Sequence, residues 1–371
     1  MAGEGSPFAR VTRLAREADH DVVDAASGDP DWEPPAGVRE GLREYADAEP
    51  REFQYPPNRG LDALRDAIAA RRQVDPDAVV VTAGATEANY LAMAAALERD
   101  AGDEVLFADP AYTYYGRRAE MLGGRPRTVA AGPGGDLDPA AVRTAAGAET
   151  ACIVVNTPNN PTGAVYDAPT MRDLVAVAEA HDAVLVSDEV YHHLDRSGQF
   201  ASALAVDSDH RVVTTAFSKS FAATGLRVGY AVLPEPLRDA ATDRHVLTVG
   251  TASRADQRAV LRGIETVDPA YFADVRSRLA DRLAAFTAPL DDAGVAHTDP
   301  DGGVFVLVES PERPATMDTV EDVIADAGVA CMPGSIFGDA AADWLRVGLV
   351  TDRAGEAGER LAGYLRGRTD G

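Results

Sequence analysis

What most restricts the fold of this chain is a recurring unit: a short apolar run rich in Val and Ile, a polar break, then a helical pattern. Residues 78–82 (AVVVT) lead through Ala83-Gly84-Ala85 into an apolar helix over 86–97. Residues 104–107 end at Asp109-Pro110. Residues 152–155 open into a loop over 156–163, which precedes a helix over 171–180. Residues 183–186 end at Ser187-Asp188-Glu189, and 211–214 end at Phe217-Ser218-Lys219. Apolar runs without polar alternation read as strands covered on both faces, and strands alternating with helices read as βαβ units of a mostly parallel sheet.

The flanks read differently. Residues 1–40 look irregular, rich in Gly, Pro and Asp, with a turn at Ser27-Gly28-Asp29-Pro30. Leu61, Leu64, Ile68 and Ala69 keep helical spacing over 61–72. From about Val246 long Arg/Asp/Ala-rich helical patterns (270–286) precede strands at 303–308 and 344–350, which suggests a smaller α+β domain. The expected division is an N-terminal segment, 1–40, packing with the small domain, a large domain over 41–245, and a small C-terminal domain over 246–371. A chain of 371 residues supports two or three domains.

In a doubly wound sheet ligands bind beyond the carboxyl ends of the strands. Those ends collect Gly84, Ala85 and Thr86, then Tyr112, Asn160, Asp188 with Tyr191, and Ser218 with Lys219. Together they offer an anion cradle, an aromatic plate, an amide, a carboxylate with a phenol, and an amine, which suits a phosphorylated aromatic aldehyde. Lys219 is the only lysine beside 34 arginines. An arginine can replace a lysine as a charge but not as an amine that loses its proton and condenses with a carbonyl. The competing reading is a chance survivor on the surface. Asp188 ends a buried run, where a carboxylate is costly without a cation such as a pyridinium nitrogen, or else caps the following turn. The step from Gly84 to Thr86 places free amides at a helix start, as an anion site or an ordinary cap. Tyr112 reads as a ring-stacking plate or a core aromatic. Arg227 and Arg346 lie in apolar settings where a buried charge needs a partner: a phosphate, a carboxylate, or an internal salt bridge.

Composition narrows the alternatives. The net charge of -25 opposes nucleic-acid binding and suits a solubility surface in a salt-rich cytoplasm, like that of an acidic, halophile-like proteome. Cys152 and Cys331 cannot form a disulfide framework or a zinc cage, and are expected to pack as small hydrophobes. His192 and His193 are adjacent and would face opposite ways on an extended chain, so no metal site is expected. No P-loop, G-x-G-x-x-G, H-E-x-x-H, C-x-x-C or G-x-S-x-G is present. Without a signal peptide, transit peptide or membrane-length apolar run, a soluble cytoplasmic protein is expected.

Three segments then resemble a known family: Asn159-Asn160-Pro161-Thr162-Gly163, Ser187-Asp188-Glu189-Val190-Tyr191, and Phe217-Ser218-Lys219 followed by Gly225-Leu226-Arg227-Val228-Gly229-Tyr230. In this order they are similar to the fold-type I pyridoxal-phosphate enzymes, and most similar to the class I/II aminotransferases, over Gly28 to Arg346. The resemblance implies a large domain with a mostly parallel seven-stranded sheet flanked by helices, plus a smaller α+β domain. It implies pyridoxal 5'-phosphate on Lys219 as a Schiff base, with Lys219 then shuttling the substrate α-proton. Asp188 would pair with the ring nitrogen, Asn160 and Tyr191 would bond the 3-oxygen, and Tyr112 would stack on the ring. Gly84, Ala85, Thr86, Ser218 and Arg227 would surround the phosphate, and Tyr55 would reach the phosphate of a neighbouring subunit in a homodimer with shared sites. Arg346 would grip the substrate carboxylate with Asn160 and the backbone of Gly28. One position departs from the pattern: Ala216 stands where many relatives carry a phosphate-binding serine, leaving Thr215 or Ser218 to compensate. The implied reaction is ping-pong transamination between an L-amino acid and a 2-oxo acid. The alternative is a lyase or decarboxylase using the same cofactor.

Overall fold

The computed structural model describes residues 6–99 and 101–369, so the outermost parts of the expected N-terminal segment and small domain (1–5 and 370–371) lie outside the described residues. Its twelve strands are β1 (Val23–Asp24), β2 (Val79–Thr82), β3 (Glu104–Asp109), β4 (Arg125–Ala130), β5 (Thr150–Asn156), β6 (Val184–Asp188), β7 (Arg211–Ala216), β8 (Gly229–Val232), β9 (Phe305–Glu309), β10 (Val329–Ala330), β11 (Met332–Pro333) and β12 (Trp344–Gly348). Seven form one sheet in the order β2-β8-β7-β6-β5-β3-β4, parallel except for β8, which runs antiparallel to both of its neighbours.

Alternate residues of each central strand enter different cores. Ile153 and Val155 face a cluster with Leu174 and Leu185, while Cys152 and Val154 face one with Leu91 and Met93. Both faces are covered by helices, which is why the runs carry no polar alternation. Both cysteines are free and buried.

The smaller unit is an antiparallel sheet, β11-β12-β9, packed with the helices Pro269–Ala293 and Ala354–Thr369. β1 pairs in parallel with β10, tying the N-terminal segment to it. That segment is not wholly irregular. Residues Pro7–Glu17 form a helix, with the Ser6 side chain accepting from the Ala9 amide and Val11 fully buried. Phe8, Val11 and Leu14 carry the spacing that marks it.

The large-sheet core also runs past the expected division at 246. Helix Arg254–Thr266 contributes Ala259, Val260 and Ile264 to that core, while Val275 and Leu279 join the other. We propose that the division lies within the helix Pro269–Ala293, where residues of both cores meet. The structure corrects the reading of the histidine pair. His192–Leu194 is a tight 3-10 turn rather than extended chain, so the rings of His192 and His193 lie together, centroids 4.0 Å apart. No described helix is long and apolar enough to cross a membrane.

Candidate active site

The site grows from three adjacent strand ends. Asp188, last in β6, lies opposite Asn156 of β5 and Thr214 of β7, so all three sit at one level of the sheet. Its carboxylate is buried, and Oδ2 accepts from the Tyr115 hydroxyl at 2.7 Å and from Asn89 Nδ2 at 2.6 Å. Oδ1 accepts from the Val190 amide at 3.2 Å, so the capping contact and the burial coexist. Thr214 Oγ1 donates to Asn89 Oδ1 at 2.5 Å and so sets that amide's orientation. Burial raises the Asp188 pKa above the usual carboxylate range, against these three hydrogen bonds. The neighbouring Glu189 is equally buried but ion-paired with Arg72, whereas Asp188 has no ion pair among the described residues.

Lys219 sits in the one-turn helix Phe217–Ser220 that follows β7. Its Nζ donates to the Gly28 carbonyl at 2.7 Å. Burial pushes its pKa down to about 8; Asp29 opposes the shift, and Arg346 and Arg227 add to it.

Arg346, on β12 of the smaller unit, is 1% exposed. Nη1 donates to Asn160 Oδ1 at 3.1 Å, Nη2 to the Ala26 carbonyl at 2.6 Å, and Nε has no partner. The Phe305 ring lies 3.9 Å from its guanidinium carbon. No carboxylate pairs with it among the described residues, so the internal salt bridge is absent, and burial pushes its pKa down to about 10. A cavity of about 270 Å³ joins Arg346 to Lys219 and Asp188.

At the far end of this cavity the helix Ala85–Leu97 begins, and its first amides have no acceptor within the helix. Gly84 precedes them at φ +87°, and an added Cβ there would lie 2.5 Å from Arg227 Nη2. Arg227 itself donates to the carbonyls of Thr224 and Ala83. Ala85, Thr86, Ser218 and Arg227 all line the cavity. Thr215 does not, because its hydroxyl donates to the Glu189 carbonyl on the opposite side; Ser218 is the hydroxyl available beside Ala216.

Tyr112, Asn160, Tyr191 and Gly28 also line the cavity, and burial raises the Tyr112 phenol to about 12. Tyr55 stands apart, 92% exposed. Sequence reasoning missed Asn89, Tyr115, Thr214 and Phe305. Thr214 was legible as the β7 residue level with Asp188. Asn89 and Tyr115 come from helices whose packing no local pattern reveals.

A mostly parallel sheet with a lysine and a carboxylate at its strand ends thus faces, across one cavity, an arginine from the smaller antiparallel unit. The family model for aminotransferase class I and II matches residues 20–357. The chain belongs to that family of pyridoxal-phosphate-dependent enzymes. It is 33% identical to the aspartate/prephenate aminotransferase of Thermus thermophilus over 340 residues, 89% of this chain and 87% of that one. With the aspartate aminotransferase of Thermotoga maritima it shares 30% identity over 360 residues, 94% and 92% of the two chains. The structure of the T. thermophilus aspartate aminotransferase with maleate superposes with a TM-score of 0.90 at 31% identity, covering 98% of this chain and 97% of that one.

Proposed function

We propose that this chain transfers the amino group of an L-amino acid to a 2-oxo acid by a ping-pong sequence of two half-reactions. The observation that carries the reading is Arg346, a buried guanidinium without a carboxylate partner, in the same cavity as the only lysine.

The donor set fits pyridoxal phosphate. Asp188 is a buried carboxylate with no ion pair among the described residues, Arg118 acting on it only from a distance, and it suits a protonated ring nitrogen. The amides of Ala85 and Thr86, with Ser218 and Arg227, suit the phosphate. Tyr112 suits a ring face, and Tyr191 suits the ring's phenolic oxygen together with Asn160, which retains Nδ2 as a donor. When bound, the cofactor supplies a carbonyl that condenses with amines and a ring that takes up electron density from the substrate α-carbon.

The chain's own groups do the rest. Arg346 fixes the α-carboxylate through the fork of its guanidinium and so sets which bond of the α-carbon is presented. Lys219, with its amine basicity lowered to about 8, takes the α-proton at Nζ and gives it back near neutral pH. Phe305 covers the guanidinium and excludes water from the carboxylate contact. An arginine holding the carboxylate throughout favours a reaction that retains it, against decarboxylation.

A homodimer completes the site in this reading. Tyr55 is exposed beside Phe53, and Leu247 and Val249 are further exposed apolar residues. Such exposure on a soluble chain marks an interaction surface, and here it would present Tyr55 to the neighbour's phosphate.

The test mixes the purified holoenzyme with an amino acid alone. Stoichiometric 2-oxo acid with conversion of the bound chromophore to its amine form supports the proposal. Release of ammonia or carbon dioxide over many turnovers would instead indicate a lyase or a decarboxylase.

A further inference from the structure

We infer that the amino donor carries a large apolar or aromatic side chain and that a second carboxylate is disfavoured, an inference that rests on the aminotransferase reading above and names its substrate class. The cavity's positive charges are Lys219, Arg227 and Arg346. Each already has work there: Lys219 at the α-carbon, Arg227 at the phosphate end, Arg346 at the α-carboxylate. Among the described residues no further cation lines the cavity; the buried Arg118 stands outside the lining, next to Tyr112, Tyr115 and Asp188. The lining instead holds Asp29, exposed and without an ion pair among the described residues, whose negative field opposes a dicarboxylic substrate.

The wall beside Arg346 is aromatic. Phe8, from the N-terminal helix Pro7–Glu17, lines the cavity with its ring centre 5.5 Å from the guanidinium carbon. Behind it stand Tyr114 at 6.1 Å and Phe337 at 6.4 Å between ring centres, and Phe337 itself lies 5.0 Å from the guanidinium carbon. Tyr114 continues to Tyr112 at 4.9 Å. A side chain leaving an α-carbon fixed between Lys219 and Arg346 therefore meets Phe8 and the rings behind it. Apolar and aromatic groups gain by burying area there and by edge-to-face contact, while a carboxylate loses its water without gaining a counter-ion. All of the relatives reported above bear aspartate in their names; the charges lining this cavity point elsewhere.

The test uses the holoenzyme and follows single half-reactions with L-phenylalanine, L-leucine, L-alanine, L-aspartate and L-glutamate. The expected result is a kcat/KM for phenylalanine at least about tenfold above that for aspartate, the scale of discrimination an apolar pocket supplies. Phe8→Ala is expected to lower the phenylalanine value more than the alanine value, by a ratio of roughly ten. A second readout needs no turnover: 3-phenylpropionate is expected to raise the melting temperature at lower concentration than succinate. Preference for aspartate or glutamate, with succinate the better stabiliser, overturns the inference and leaves the aminotransferase reading intact; it would mean that the partner subunit brings a cation. Failure of every amino acid to react overturns the aminotransferase reading, and the two carboxylates then still decide the side-chain preference.

Discussion

Arg346 Nη1 donates to Asn160 Oδ1 at 3.1 Å, across 186 positions of chain, and so joins the central strand of the small sheet to the loop that follows β5. The same loop is anchored below by Asn156, whose Oδ1 accepts from the Asn160 amide at 2.7 Å and whose Nδ2 donates to the Asp188 carbonyl at 2.8 Å. Arg346 and the backbone of Asp188 are thus linked through one short chain of amides, Asn160 and Asn156.

If Arg346 grips the substrate carboxylate as proposed, replacing it by Ala removes two charge-assisted hydrogen bonds to substrate. At about 2 kcal/mol each, kcat/KM for amino acids should fall roughly 10³-fold. Folding stability should not fall in proportion, because the charge removed is buried and lacks an ion-pair partner. Steady-state kinetics with parallel urea melts separate the two effects; equal loss in both would count against a substrate-binding role.

Asp188→Asn should abolish turnover yet raise the melting temperature of the cofactor-free protein. The sign follows from linkage. The folded pKa of Asp188 lies above its unfolded value, so at neutral pH the ionised buried group opposes folding, and neutralising it relieves that cost. Calorimetry of both cofactor-free proteins at pH 7 checks this. A lower melting temperature for the variant would show that the bonds from Tyr115 and Asn89 outweigh the burial.

Below neutral pH the histidine pair should destabilise the fold. Burial pushes His193 down to about 3 and His192 well below the usual histidine range. The unfolded chain therefore binds these protons first. The pair's contribution is complete above about pH 6.5 and is lost as pH falls from there toward 3, at up to about 1.4 kcal/mol per pH unit for each ring. Urea midpoints at pH 7, 6 and 5 should decline, and His193→Phe, which retains the stack on Phe272 at 3.9 Å, should flatten the decline.

Recombination of cofactor-free protein with pyridoxal phosphate requires the neutral amine of Lys219. Its rate should rise with pH and level off above about 8. Asp29 holds the amine's pKa up, so Asp29→Asn should move the inflection to lower pH. Stopped-flow absorbance from pH 6.5 to 9.5 reads both inflections, and an unmoved inflection would remove Asp29 from the account.

The large sheet was readable because its strands are buried on both faces, which leaves short uninterrupted runs rich in Val and Ile bounded by turn residues. Asp188, Lys219 and Asn160 were readable because a parallel sheet sends its strand ends to one edge, so that chain order alone gathers them. Lys219 stood out further as one amine among arginines. Only the folded molecule showed that Asn89 and Tyr115 hold the Asp188 carboxylate, that Ser218 rather than Thr215 faces the cavity beside Ala216, and that Phe8 walls the cavity from a helix near the start of the chain. It also brought the rings of His192 and His193 together, tilted at 38°, where an extended chain would have parted them. Periodicity and propensity act within a few residues, whereas these contacts depend on which helix packs on which face of the sheet, and that is settled by burial summed over the whole chain.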